Sequence, residues 1–124
     1  METKDKITFT TKDGNKIEVA DSIIAAAVVE AIFEIKGIAG FKDGKFDEIS
    51  KRLARGKTVK SIVITPKEDE EIDIDLYLTV QFRASIPTIS DVVKERVEEN
   101  VKAITGINVS DVVVHVSGID VIKS

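Results

Sequence analysis

The feature that most constrains the fold is a run of alternating residues near the middle of the chain. Its apolar members are Ile72, Ile74, Leu76, Leu78, Val80 and Phe82, and the residues between them are Asp73, Asp75, Tyr77, Thr79, Gln81 and Arg83. Successive side chains of a β-strand point to opposite faces of a sheet, so this alternation places every apolar member on one face. The run therefore predicts a long strand with one face on a core and the other facing outward.

Shorter extended segments accompany this strand. Residues 7–11 and 17–19 alternate on either side of Asp13-Gly14. That dipeptide supplies the positive backbone angles of a tight turn, so the segment predicts an N-terminal β-hairpin over residues 7–19. Two more strands are predicted, at residues 59–65 before Pro66 and at residues 112–117 before Gly118, and the charged residues 67–71 connect the first of them to the long strand.

Apolar residues at helical spacing predict two main helices, at residues 23–35 and 91–105. Asp21-Ser22 is the expected N-cap of the first helix, and Gly37 and Gly106 are the expected stops. The core stripe of the first helix is Ile24, Ala27, Val28, Ala31, Ile32 and Ile35, and that of the second is Val93, Val97, Val101 and Ile104. These elements predict an α+β fold, in which a mixed, mostly antiparallel sheet carries the two helices on one face.

The first helix is apolar almost all round. Beyond its core stripe it carries Ala25, Ala26, Val29 and Phe33. A helix of this kind is normally covered on more than one side. The second cover is either a short amphipathic helix containing Phe46, Ile49 and Leu53, or another subunit, and the sequence leaves both open.

Composition limits the class of protein. The 124 residues predict a single domain over residues 1–124, and the formal charge of -4 argues against indiscriminate binding to nucleic acid. The absence of cysteine excludes disulfides and suits a reducing cytoplasm. The longest apolar run, residues 23–29, is far shorter than the roughly 20 residues that span a bilayer. We therefore expect a soluble cytoplasmic protein without direct membrane insertion.

Candidate catalytic groups are few. His115 is the only histidine, and it shares the predicted outward face with Val113 and Ser117, without a nucleophile motif such as Gly-x-Ser-x-Gly. Asp73 and Asp75 lie on one strand face, where a solvated strand end explains two carboxylates without a ligand. The sequence predicts no enzyme activity, no catalytic residues, no metal and no cofactor.

One motif suggests nucleic acid. Gly37-Ile38-Ala39-Gly40 matches the Gly-x-x-Gly loop by which KH domains hold an RNA backbone. The basic residues downstream of it are Lys51, Arg52, Arg55, Lys57 and Lys60. The two middle residues of this motif, Ile38 and Ala39, are apolar, which argues against a phosphate clamp. Nucleic acid is therefore not the expected partner. An RNA-binding module that uses the loop from Gly37 to Gly40 is one alternative function, and a small-molecule sensor with a ligand in the sheet–helix cleft is the other.

The order and spacing of several segments resemble one known family. They are residues 32–40 at the end of the first helix, residues 74–80 in the long strand, Ile86-Pro87 before the charged segment 93–101, and the segments 105–109 and 112–119. This chain resembles the alkaline shock (envelope stress response) family of Gram-positive bacteria over about residues 17–119. It departs at residues 41–60, where members carry a stretch rich in Gly and Lys and where Arg55-Gly56-Lys57 is the nearest counterpart.

The resemblance implies a stress-response protein without enzymatic activity. Family members are abundant in the cytoplasm, some held at the membrane by a separate anchoring protein and others linked to fatty-acid metabolism. It implies docking to a membrane-anchored or metabolic partner protein, and the former would place the chain peripherally at the membrane. A homo-oligomer is expected from the surplus apolar surface of the first helix.

A partner-binding patch is expected on the outward face of the sheet. If the long strand and the last strand are neighbours, as the resemblance implies, one patch contains Tyr77, Thr79, Gln81, Val113 and His115. This patch is expected to be mildly apolar and free of full charges. Depleted charge and an aromatic centre distinguish interfaces from other surfaces.

Overall fold

The computed structural model describes residues 6–10 and 13–121. Its strands are β1 (Lys6–Thr10), β2 (Lys16–Ala20), β3 (Ile38–Phe41), β4 (Ile62–Pro66), β5 (Glu71–Gln81) and β6 (Asn108–Asp120). Its helices are α1 (Asp21–Ile32), α2 (Phe46–Ala54) and α3 (Ile86–Thr105), with a 3-10 turn at Glu68–Glu70. The predicted α+β class is confirmed.

The predicted long strand, β5, is the centre of a four-stranded mixed sheet. β3 and β4 pair with it antiparallel, and β6 pairs with it in parallel along its whole length. β4 takes the N-terminal half of one edge of β5 and β3 takes the C-terminal half. β6 fills the opposite edge, reached through α3, because a parallel connection requires a crossover.

One face of the sheet carries the core. The inner side chains of β5 are Ile72, Ile74, Leu76, Leu78 and Val80, all of them fully buried. α3 packs on β6, α1 packs against α3, and α2 lies against α1. The predicted stripe of α1 is buried in full. The two main helices therefore lie on one face of the sheet, as predicted, and the predicted short helix is α2.

The N-terminal hairpin forms a separate two-stranded sheet. β1 and β2 pair antiparallel from Lys6 opposite Ala20 to Thr10 opposite Lys16, so the predicted hairpin is confirmed. Residues 11 and 12 of its connection lie outside the described residues. Ile17 and Val19 line a small cavity of about 90 Å³ next to Gly106. The hairpin thus lies beside the junction of α3 and β6.

The ends of the helices differ from the prediction. α1 begins at Asp21 after the N-cap residue Ala20, whose side chain makes no cap, and it ends at Ile32 rather than near Gly37. Residues 33–36 form tighter turns, which bury Ile35 in the core. α3 begins five residues before the predicted start, because Pro87 has the fixed backbone angle that suits a first helical turn. Its predicted stop at Gly106 is confirmed, with a φ of 81°.

Two residues assigned to the core by periodicity are exposed. β5 ends at Gln81, so Phe82 leaves the sheet and is 56% exposed. Ile104 lies in the last turn of α3 and is 51% exposed. Two strands also differ in length from the prediction: β4 begins only at Ile62, while β6 extends beyond residues 112–117 in both directions. None of the helices formed by the described residues is both long and apolar enough to cross a membrane.

Candidate functional site: the outer face of the sheet

The outer face is set by the alternation of β5 and by its register with β6. Asp75 lies opposite Val113, and Tyr77 lies opposite His115. The expectation that these two strands are neighbours is therefore confirmed. Thr79 follows on the same face of β5. Four of the five predicted patch residues thus lie together, and Gln81 lies at the far end of β5, opposite Asp120.

Two stacked rings form the centre of this face. The rings of Tyr77 and His115 are almost parallel, with an interplanar angle of 7° and centroids 4.3 Å apart. Lys42 lies over the Tyr77 ring, with its Nζ 5.8 Å from the centroid. The backbone N–H of Lys42 also donates to the Tyr77 carbonyl at 2.9 Å. The tyrosine ring is therefore held between an imidazole and a cation before any partner binds.

The second contact of His115 is with a carboxylate. Its Nε2 lies 3.0 Å from Oδ1 of Asp75, and both side chains are about one-third exposed. The expectation of a patch without full charges is wrong, because Asp75 and Lys42 border it. Alternation already places Asp75 on this face two residues before Tyr77, whereas its contact with His115, 40 positions away, could not be predicted from spacing.

The described contacts of His115 do not form the arrangement used in nucleophilic catalysis. In nucleophilic catalysis, a histidine oriented by a carboxylate activates a nucleophilic side chain within hydrogen-bond reach. Among the described residues, the His115 imidazole contacts the Asp75 carboxylate and the Tyr77 ring. The same part of the chain contains no cluster of three or more metal-ligating side chains.

Asp73 belongs to the N-terminal end of the same face. Its carboxylate accepts a hydrogen bond from the Ser110 hydroxyl at 2.5 Å and pairs with the Lys67 ammonium at 3.6 Å. Both partners come from the ends of neighbouring strands. Asp73 therefore ties β4, β5 and β6 together, and the expected solvated strand end is in fact a paired one.

A polar cluster centred on Asp43 links α2 to the sheet. The Asp43 carboxylate accepts from the Ser61 hydroxyl, from the Lys60 backbone N–H at 3.2 Å and from Arg52 Nη1 at 3.3 Å. In return, the Asp43 backbone N–H donates to the Ser61 oxygen at 3.1 Å. Ser61 is almost wholly buried, so it requires this partner.

We expect Asp43→Ala to lower the free energy of unfolding by about 1–2 kcal/mol, because it leaves the buried Ser61 hydroxyl without an acceptor. Arg52→Ala is the control and should cost less than about 1 kcal/mol, since the ion pair is partly exposed. Urea unfolding of both variants measures the difference. Equal losses would mean that the ion pair, rather than the hydroxyl, holds this cluster.

The loop from Gly37 to Gly40 does not form an exposed phosphate clamp. Residues 38–40 belong to β3, where Ile38 lies opposite Val80 and is buried. The Gly37 carbonyl accepts from the Gln81 N–H at 2.8 Å. Of the basic residues downstream, Arg52 is paired with Asp43. The backbone that an RNA strand would contact is therefore used within the sheet.

Comparison with known proteins decides the family. The sequence profile of the alkaline shock protein 23 family, which is described as having a cell envelope-related function, matches residues 9–121. The chain belongs to this family. The resemblance noted in the sequence is thereby confirmed, and the protein is a member of a stress-response family related to the cell envelope.

Relatives within the family cover this chain to different extents. A stress response regulator gls24 homolog of Streptococcus pyogenes serotype M3 is 29% identical over 96 residues, which are 77% of this chain and 54% of the regulator. This chain thus spans about half the length of that relative. Spy1614 of Streptococcus pyogenes serotype M6 is 30% identical over 118 residues, or 94% of this chain and 96% of Spy1614. YqhY of Bacillus subtilis is 25% identical over 104 residues, or 84% and 76%. No solved structure matches the chain.

A second surface of this family member is a groove of about 860 Å³ between α1 and α2. The apolar residues that α1 and its C-cap carry beyond the core stripe differ in exposure. Ala25 and Val29 are buried, while Ala26 and Phe33 remain exposed. The Phe33 ring contacts that of Phe46 edge to face, with centroids 5.4 Å apart. The short helix therefore covers part of α1 and leaves an apolar groove beside it.

The groove does not match the expected ligand cleft. The sensor alternative required space between the sheet and the helices, but the fully buried side chains of β5 and α3 fill that space. The acidic residues that line the groove are instead Glu30 of α1, Glu34 of the turn after α1, and Asp47 of α2. The geometry offers no specific support for a bound metabolite.

Proposed function

We propose that this chain is a non-catalytic interaction protein of the cell-envelope stress response. It self-associates in the cytoplasm, and it docks a partner protein through the outer face of its sheet. The partner is a membrane-anchored or metabolic protein, and through the former the chain is peripheral at the membrane. The observation that carries the proposal is the Tyr77–His115 stack at the centre of an otherwise open sheet face.

Support for docking comes from the apolar residues around the stack. Val63 of β4 and Val113 of β6 both lie beside Asp75, one on each side, and they are 41% and 42% exposed. With Tyr77, two residues further along β5, they place apolar side chains on three strands around the Asp75 carboxylate. Clustered aromatic and aliphatic side chains are typical of the centre of an interface, and the carboxylate among them is already paired with His115.

Pre-organisation strengthens this surface. The Tyr77 ring is already stacked on His115 and contacts Lys42, so binding does not have to order it. Because immobilising a free side chain costs about 0.5–1.5 kcal/mol, a fixed ring binds a partner at lower entropic cost. Asp75 and Lys42 then offer one acceptor and one cation, which select partners by charge complementarity.

The family setting supports the biological role. The description of the family gives a cell envelope-related function, and the streptococcal relative is named a stress response regulator. Neither of these names describes a reaction. A protein that acts through its surfaces accounts for this setting and for a histidine without a nucleophile.

The test is to place a charge at the centre of the face. We expect Tyr77→Glu to keep the melting temperature of the wild type but to lose the proteins that the tagged wild-type chain captures by crosslinking in envelope-stressed cells. His115→Ala, which removes the other ring of the stack, should weaken the same captures. A membrane-anchored partner would also carry the wild-type chain, but not Tyr77→Glu, into the membrane fraction.

Ile17→Glu is the matched control. Ile17 is 46% exposed on β2, in the separate hairpin, so it adds the same charge to a strand away from the face. It should leave the captured proteins unchanged. If Tyr77→Glu folds and captures the same proteins as Ile17→Glu, the outer face is not the docking surface.

A further inference from the structure

The free edge of β6 differs from the opposite margin of the sheet. Among the described residues, β6 pairs with β5 alone, although it is 13 residues long. On the other margin, β3 has four residues with an irregular register at Gly40, and β4 has five and ends at Pro66. Short strands, bulges and proline are devices that prevent edge pairing. The long edge belongs to β6.

The direction of the backbone groups of β6 follows from β5. The Tyr77 N–H donates to the Ser61 carbonyl, and the Tyr77 carbonyl accepts from the Lys42 N–H. The backbone N–H and C=O groups of the odd-numbered residues in this part of β5 therefore point to the edge that carries β3 and β4. The backbone N–H and C=O groups of the even-numbered residues of β5 therefore point toward β6. In a parallel pair of strands, these groups form hydrogen bonds with the two residues that flank the residue's partner on the other strand.

Leu76 is the decisive even-numbered residue, and its partner is Val114. Its bonds go to the flanking Val113 and His115, which use their backbone groups toward β5. The N–H and C=O groups of Val112, Val114 and Val116 consequently point to the free edge.

The side chains of this edge do not block pairing. The segment Asn108–Asp120 contains no lysine, arginine or proline. Register shifts at each end, between Ile72 and Asp73 and between Leu78 and Thr79 of β5, bound a regular stretch at residues 111–116. The bulges limit edge pairing to this stretch, whose last five residues are four valines and His115.

We propose that two copies of this chain pair through β6 in antiparallel orientation, with a two-fold axis at Val114. This inference rests on the proposed self-association and assigns it a surface. Val114 then faces Val114 of the other copy, and Val112 faces Val116. Each hydrogen-bonded pair exchanges two N–H···O bonds, so the three pairs provide about six. If the two-fold axis passed through Val113 or His115 instead, only about four such hydrogen bonds would form within residues 111–116.

A second copy fits this edge better than an unrelated strand, because the stretch is self-complementary. Every hydrogen-bonded pair sets valine against valine. Val114 and Val116 lean toward the core but are only partly buried, and a neighbouring strand would cover their open side. On the outer face, Val113 of one copy would lie beside His115 of the other, which joins the two docking faces into one.

Single cysteines test both the surface and the register, because the chain has no cysteine of its own. On oxidation we expect Val114→Cys to form a crosslinked dimer, since residues on the axis have Cα atoms about 5.5 Å apart. In Val113→Cys, the two cysteines would lie diagonally across the paired strands. Their Cα atoms would be roughly 8 Å apart, which is too far for a disulfide. Val63→Cys on β4, which is as exposed as Val113 and more exposed than Val114, is the control for random collision.

Proline variants with light scattering provide the second measurement. Val114→Pro removes an N–H that points to the free edge, so it should keep the fold and become monomeric. Val113→Pro removes an N–H bonded to β5 and should lower the melting temperature. If Val114→Pro unfolds, the cysteine comparison alone decides.

The outcomes separate this inference from the proposed function. A dimer by light scattering with no faster crosslinking at Val114→Cys than at Val63→Cys overturns the β6 pairing but leaves self-association intact. Faster crosslinking at Val113→Cys overturns the register. A wild-type monomer overturns both the pairing and self-association, while capture by the Tyr77 face is decided independently.

Discussion

Leu78→Ala is expected to lower the free energy of unfolding by about 2–5 kcal/mol, since it removes a large side chain from a site that neighbours cannot fill. Leu78 is fully buried in the central strand, opposite Phe41 of β3 and Val116 of β6. Strands on both edges hold the backbone in place, so the cavity should collapse little. Urea unfolding at equilibrium measures the loss.

Thr79→Ala is the matched control for this substitution. Thr79 is the next residue of β5, but its side chain lies on the outer face and is partly exposed. Its loss should cost no more than about 0.5 kcal/mol. Comparable losses for the two variants would contradict the assignment of the faces of β5, and with it the position of the docking surface.

Most of the sheet could be predicted because the two-residue alternation of apolar and polar side chains in β5 determines which of its faces is buried. Strict alternation identifies the buried side of β5 without any knowledge of its neighbours. The outer side then follows, including Tyr77. The position of α1 and α3 on one face follows from their apolar stripes, and the contact of the two helices agrees with this.

The ends of elements could not be predicted in the same way. Periodicity extends past the point where backbone hydrogen bonds stop, as with Phe82 and Ile104. At the end of α1, residues 33–36 keep a helical apolar pattern but turn more tightly, because Phe33 contacts Phe46 while Ile35 enters the core. Tertiary contacts decide such boundaries.

The candidate site was predictable in its members but not in its contacts. That Tyr77 and His115 share a face follows from alternation, and that they are neighbours was inferred from the family resemblance. The Asp75–His115 contact depends on the parallel register of β5 and β6, which α3 and two bulges determine. No local pattern in the sequence encodes that register, so this contact could not be predicted, although alternation already places the Asp75 carboxylate on the same face two residues before Tyr77.

Gly37→Ala is expected to lower the free energy of unfolding by about 2–4 kcal/mol, for two separate reasons. Its φ of +97° lies in the left-handed region, where a Cβ costs about 1–2 kcal/mol. A Cβ would also lie 2.8 Å from Ile89 Cδ1 and 3.2 Å from Ala84 Cβ. Ile89 is buried, so its methyl group has little room to move, and overpacking of this kind costs about 1–3 kcal/mol.

Two variants separate the reasons. Gly56 has a similar φ of +77° but no atom within 4 Å of its Cβ position, so Gly56→Ala should show the backbone cost alone, about 1 kcal/mol. In the Gly37→Ala background, Ile89→Val removes the clashing methyl group and should recover part of the loss. Equal losses at Gly37 and Gly56 would mean that the contact with Ile89 contributes nothing. The expected larger loss at Gly37, measured without any RNA present, would show that this glycine is required by the close packing of the turn before β3 against Ile89 of α3.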